Sequence, residues 1–218
     1  MFNRRTGFIL AIALAAGLGL LAAQKFFGTT TTAHPAWPQT RAVTMFPQPR
    51  ALPAFSLRQS DGTQLTAGEL NGHWTLVFLG FTFCPDVCPT TLAELAQAQN
   101  QWKSLPDSTR PRVLFVSVDP ERDTPTRIGE YAHAFHADTL AATADVPALE
   151  NFARSLMFVF QKMPGSNFDA NPQDYSMDHS ANIAVLDPKG RMVGFIKPPF
   201  QPRDIAEDMT ELTKATAK

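Results

Sequence analysis

Hydrophobic positions along the chain fall into a few sharply bounded patterns, and the clearest is the run Leu76-Val77-Phe78-Leu79-Gly80-Phe81. It is too short for a helix and too uniformly apolar for a half-exposed strand, so it predicts a central, buried strand. Pro85 and Pro89 stop the ladder soon afterwards. Thr91 followed by Glu94 has capping-box spacing, and Leu92, Leu95, Ala96, Gln99 and Trp102 form one face, which predicts a helix over about Thr91 to Lys103. Val113 to Val118 is a second buried, β-branched strand. Strand, crossover helix and strand make a right-handed βαβ unit.

Other segments read with the same rules. Phe55-Ser56-Leu57 and Gln64-Leu65 are short strands around the turn Ser60-Asp61-Gly62, and Thr66 to Leu70 makes one helical turn. Thr124 as N-cap and Pro125 at the first helical position start a helix to about His136. Val146 to Leu156 carries apolar residues at helical spacing, and Met157-Phe158-Val159-Phe160 begins an extended segment. Pro164 to Tyr175 has no packing pattern and reads as a long exposed loop. Ile183 to Leu186 and Met192 to Ile196 pair as a hairpin across Asp187-Pro188-Lys189-Gly190, and Pro202 opens a last helix. A parallel βαβ unit followed by an antiparallel hairpin and helix gives an α/β fold of thioredoxin-like type, a central mixed sheet flanked by helices.

The chain of 218 residues does not begin with that domain. Arg4 and Arg5 precede an unbroken apolar segment from Gly7 to Ala23, closed by Gln24 and Lys25. Its length is at the lower edge of the roughly 17 to 25 residues that span a bilayer. The small-residue pair of a cleavage site is missing, so residues 1–27 are expected to be an uncleaved anchor rather than a signal peptide. The arginine pair keeps the short side in the cytoplasm and places the rest across the inner membrane, in a periplasm or a mitochondrial intermembrane space. Residues 28–50, Thr-rich and then punctuated by prolines, read as a tether, with its His34 solvated. Residues 51–218 are the domain. A formal net charge of -1 gives no reason to expect nucleic acid.

Both cysteines of the protein, Cys84 and Cys88, fall at the turn from the central strand into its helix. A helix N-terminus there is expected to favour thiolate. A disulfide closing so short a loop would constrain the unfolded chain little, which argues for a reactive pair rather than a staple. Two thiols cannot complete a four-thiolate zinc site. With one imidazole they suit copper, above all Cu(I), and His179 at the start of a strand is the candidate, although such a histidine is also commonly a loop or core residue. His133 and His136 lie three apart on their helix without a carboxylate or cysteine partner, so they read as surface residues.

Three stretches, Phe81-Thr82-Phe83-Cys84-Pro85-Asp86-Val87-Cys88-Pro89-Thr90-Thr91, Ser117-Val118-Asp119-Pro120-Glu121-Arg122-Asp123-Thr124-Pro125 and Asp178-His179-Ser180, together resemble the Sco/SenC family of membrane-tethered copper proteins. The resemblance runs from about Ala51 to the C-terminus. It implies a thioredoxin-like fold, copper held by Cys84, Cys88 and His179, and a role in assembling the dinuclear copper centre of cytochrome c oxidase subunit II. The family either delivers copper, with a further copper chaperone as a possible donor, or reduces the cysteines that receive it. Phe83 stands where family members often carry a histidine that is not a ligand. Asp86 resembles a residue that aids transfer or partner recognition, and is equally a turn-former. Met177 could add a soft thioether but reads first as a loop residue. A thiol-disulfide reductase using Cys84 and Cys88 is the alternative; a peroxidase of similar fold lacks its activating residues here.

Overall fold

The structure is a computed structural model and describes residues 7–8, 13–19, 23 and 37–216. The chain forms two compact units, Met1–Ala36 and Trp37–Lys218. In the first, the described residues are helical, with Phe8, Leu14 and Leu18 exposed. Among the described residues no helix is long and apolar enough to cross a membrane. The expected anchor over Gly7 to Ala23 lies partly outside the described residues, as do Arg4, Arg5 and His34.

The second unit holds ten strands and four α-helices. In chain order these are β1 (Val43–Arg50), β2 (Leu57–Gln59), β3 (Gln64–Leu65), β4 (Thr75–Gly80), α1 (Val87–Trp102), β5 (Arg112–Ser117), α2 (Pro125–Phe135), β6 (Leu140–Thr143), α3 (Val146–Ser155), β7 (Phe160–Pro164), β8 (Tyr175–His179), β9 (Ile183–Leu186), β10 (Met192–Ile196) and α4 (Pro202–Thr216). Eight strands form one mixed sheet in the order β1-β10-β9-β4-β5-β6-β2-β3, and β7 and β8 pair separately. All six residues of β4 are buried, as a strand with neighbours on both edges and cover on both faces requires. It runs parallel to β5, Gly80 opposite Ser117, and antiparallel to β9, Phe78 opposite Ile183. This is the thioredoxin-like arrangement of a mixed sheet with flanking helices.

Local chemistry accounts for most element starts. Thr66 and Glu69 form a true capping box around the short 3-10 turn Ala67–Leu70. Thr124 accepts from the Arg127 N–H and Pro125 takes the first helical position of α2; Asp145 accepts from the Ala148 N–H, 2.9 Å, to start α3. Trp102, fully buried, donates its indole N–H to the Ala206 carbonyl, 3.2 Å, and so joins α1 to α4.

Four expectations change. The second half of the expected tether is not loose chain: Val43–Arg50 is β1, pairing Val43 with Ile196 and Met45 with Gly194. Its prolines are tolerated because β1 is an edge strand with an irregularity between Met45 and Arg50. Helix α1 begins at Val87 rather than Thr91, since a proline at Pro89 falls in the first turn, where backbone donors have no helical partner to lose. The short strand β6, rich in alanine, was not foreseen. The end of the expected loop, with Tyr175 and Met177, is the strand β8, whose side chains alternate between buried and exposed.

What holds β1 in place is remote in sequence. The buried Asp208 carboxylate on α4 accepts the backbone N–H groups of Arg41 at 3.0 Å, Ala42 at 2.8 Å and Val43 at 2.9 Å. Three successive donors satisfied by one charged acceptor are worth more than ordinary hydrogen bonds. Asp208→Ala, leaving those donors without a partner, is expected to cost about 3 kcal/mol of stability in a denaturant titration. A midpoint equal to the wild type would show that the clamp contributes nothing.

Candidate metal centre

The end of β4 is built around a missing side chain. A Cβ on Gly80 would lie 2.7 Å from the Phe115 ring and 3.0 Å from the Cys88 sulfur, so only glycine lets helix α1 press its second residue against the strand end. Beyond Gly80 the chain is fastened to the segment that follows β5. The buried Asp123 carboxylate accepts the Thr82 N–H at 2.9 Å, the Thr82 hydroxyl at 2.5 Å and the Ser117 hydroxyl at 2.6 Å. Thr82 thus fixes where Phe83 and Cys84 begin.

The two cysteines are free thiols in unlike surroundings, Cys84 half-buried and Cys88 fully buried. The Cys88 N–H, one of the donors left over in the first helical turn, donates to the Cys84 sulfur at 3.3 Å. Burial, with the adjacent Cys84 sulfur adding to it, pushes the Cys88 thiol far above its usual range. At Cys88 burial outweighs the helix-terminus effect expected to favour thiolate, because the sulfur lies under the core although its residue is in the first helical turn.

His179 ends β8, and its ring stands edge-on to Phe78 and Phe81 with centroids 6.0 and 6.1 Å away. Nδ1 is 3.2 Å from the Ser180 carbonyl, which can only accept, so the ring proton is assigned to Nδ1. That leaves the Nε2 lone pair free, 3.6 Å from the Cys88 sulfur. Burial lowers the pKa of this histidine and keeps it neutral, the form that ligates metals. The fold thus brings together Cys84, Cys88 and His179. Among the described residues no three His, Cys, Asp or Glu side chains are arranged to hold a metal ion, and the Cys84 sulfur accepts the Cys88 N–H.

The other candidates fall elsewhere. Asp86 is exposed and precedes α1 without a capping hydrogen bond. Met177 is buried, two residues before His179, and not the loop residue expected. His133 is exposed on α2, whereas His136 is buried with Nδ1 accepting the Asp138 N–H at 3.2 Å. Four further residues have roles that the sequence pattern does not state. Arg122 donates to Asp119 at 2.5 Å, Tyr175 donates its hydroxyl to the same carboxylate at 2.7 Å, and Asp123 holds Thr82. For Asp119, Arg122 and Asp123 the signal is the polar cluster Asp119-Pro120-Glu121-Arg122-Asp123 directly after a buried strand; Tyr175, in β8, carries no local signal.

Residues 44–214 match the SCO1/SenC family. This chain belongs to that family. It is 32% identical over 161 residues to a putative copper-binding protein of Stutzerimonas stutzeri, covering 73% of this chain and 75% of that one. It is 35% identical over 141 residues to the mitochondrial protein SCO1 homolog 1 of Arabidopsis thaliana, 65% of this chain but only 40% of that longer protein. The fold of Bradyrhizobium japonicum ScoI, solved with copper bound, is similar with a TM-score of 0.65 at 32% identity, over 73% of this chain and 97% of that one.

The buried histidine outside the cluster makes a pH prediction. Burial depresses the pKa of His136, reinforced by Lys103 and opposed by Asp138. The unfolded chain then binds more protons, so this histidine's contribution is complete above about pH 6.5 and is lost as pH falls below it. His136→Gln should flatten the decline of stability between pH 6.5 and 5, by at most about 1.4 kcal/mol per pH unit. Parallel denaturation midpoints in wild type and variant across that window would refute it.

Proposed function

We propose that this protein is a copper chaperone whose ligands are Cys84, Cys88 and His179, and that its cargo serves the dinuclear copper centre in subunit II of cytochrome c oxidase. The observation that carries the reading is the contact between the Cys88 sulfur and the unprotonated Nε2 of a neutral, half-buried His179. Two thiols and one imidazole match the preference of Cu(I) for few and soft ligands. Cys84, half-buried, is the ligand that a partner can reach, and it needs only to turn from the Cys88 N–H toward the other two. Copper then replaces the thiol protons, so uptake releases protons and weakens in acid. Relatives described as copper-binding, and similar folds solved with copper bound, support the same reading. We further infer that residues 1–27 anchor the domain to the inner membrane, facing the periplasm or, in a mitochondrion, the intermembrane space.

A second reading rests on the same pair of free thiols. They can pass two electrons and two protons to a partner disulfide, becoming a disulfide themselves, and so keep the copper-receiving cysteines of the oxidase reduced. His179 separates the two, since a reductase has no use for an imidazole ligand.

Copper titration with a competing chelator tests the proposal. The reduced protein should take up one copper ion, and the oxidised protein or Cys84→Ala, Cys88→Ala none. His179→Ala should weaken binding by about tenfold or more while the thiols still cycle to a disulfide. Copper affinity unchanged in His179→Ala, with normal oxidase activity in cells at low copper, would favour the reductase.

A further inference from the structure

The segment Asp119–Asp123 touches both halves of the site, and Arg122 is at its centre. The guanidinium carbon lies 3.6 Å from the centroid of the Tyr175 ring, 4.7 Å from Phe83 and 5.9 Å from Phe81. Phe81 and Phe83 belong to the cysteine loop, and Tyr175 begins the strand that His179 ends. Polar contacts run the same way. Nε donates to Asp119 at 2.5 Å, and Nη1 donates to the Tyr175 carbonyl at 2.9 Å. Asp119 also accepts the Tyr175 hydroxyl at 2.7 Å, and Glu121 pairs with Lys162 on β7, the strand partnered with β8. The arginine side chain is 8% exposed, and its Nη2 is buried without a hydrogen-bond partner among the described residues.

A charge so deeply buried, with one donor left unsatisfied, costs more than a neutral side chain of the same size would. What it provides is a planar group that bonds in its plane and stacks on its faces, a combination that lysine cannot reproduce. The β7–β8 hairpin is not part of the main sheet. The main sheet holds the chain just after His179, because Ile183 of β9 pairs with Phe78 of β4, but no ladder joins β8 itself to the cysteine loop, and side chains make that connection.

The geometry points to Arg122 as a positioning residue: it clasps the cysteine loop, through Phe81 and Phe83, to the strand carrying His179, through Tyr175, and so sets how Cys84 approaches the Cys88–His179 pair. It does not touch the metal. This rests on the copper reading above for its effect on affinity, but the clasp itself exists in the metal-free protein.

The test compares wild type with Arg122→Met, Arg122→Lys and, as a control for loss of stability alone, the core variant Leu212→Ala on α4. Three quantities are read: copper affinity by chelator competition, the thiolate-to-Cu(II) absorption, and the ring nitrogen NMR signals of His179 without metal. Arg122→Met is expected to lower copper affinity by about tenfold or more, to shift the absorption and to move the His179 signals. Arg122→Lys should recover only part, and Leu212→Ala should change none of the three. Unchanged readings in Arg122→Met overturn the proposal, as do equal changes in Leu212→Ala. If Arg122→Met does not fold, Arg122→Lys decides by the same readings. If the wild type takes up no copper, the copper reading fails, and the His179 signals alone still decide the role of Arg122.

Discussion

Gly80 has no Cβ, and the sulfur of Cys88 lies in contact with the space a Cβ would fill. That single close approach requires β4 to stop where it does and α1 to start within the next few residues, with its first turn against the strand end. It also requires β9 to run beside β4, because His179 reaches the same spot from the chain that enters β9. The sheet order, with β4 between β5 and β9, puts all three side chains at one edge of the core. Asp123 then fixes the intervening loop, so that Thr82 to Cys84 has little freedom of its own.

Much of this frame was legible because its signals are local. The apolar run at Leu76, the βαβ spacing, the Thr124-Pro125 start of α2 and the hairpin at Asp187 each depend on residues close in sequence, and each formed as expected. The parts that were not legible depend on distant partners. Val43–Arg50 looks like a proline-broken tether until Asp208, far along the chain, accepts the N–H groups of Arg41, Ala42 and Val43 at its start and β10 pairs with it. Strand β8 is short and polar at alternate positions, and its inward face, Tyr175 and Met177, is defined only by what it packs on.

The residues that the site gathers were legible, and its electrostatics were not. Two cysteines and a histidine before a strand could be named from residue type and spacing. That Cys88 would be inside the helix could not, because Pro89 looked like a barrier and is in fact compatible with a first turn. Helix-end stabilisation acts on exposed groups within the terminal turn, and it is outweighed when the group is taken out of water. The same distinction separates Cys84, half-buried in the loop, from Cys88, fully buried in the first turn of α1 four residues later.

That asymmetry bears on how a site of this kind can both take and give up a metal cation. A bare Cys88 thiolate is costly in its buried position, so without metal the proton stays on sulfur. A cation that binds there neutralises the charge that burial opposes, which makes the thiolate acceptable only while the cation is present. A neutral His179 would contribute a lone pair without charge, so the Cys88–His179 pair would carry one negative charge and not two. On the copper reading proposed above, a partner that drew the cation away through Cys84, the more accessible sulfur, would let Cys88 regain its proton and return the site to its neutral form. Burial of one cysteine therefore opposes the empty thiolate state, and on the proposed reading it would favour release in exchange for protons, as a carrier requires.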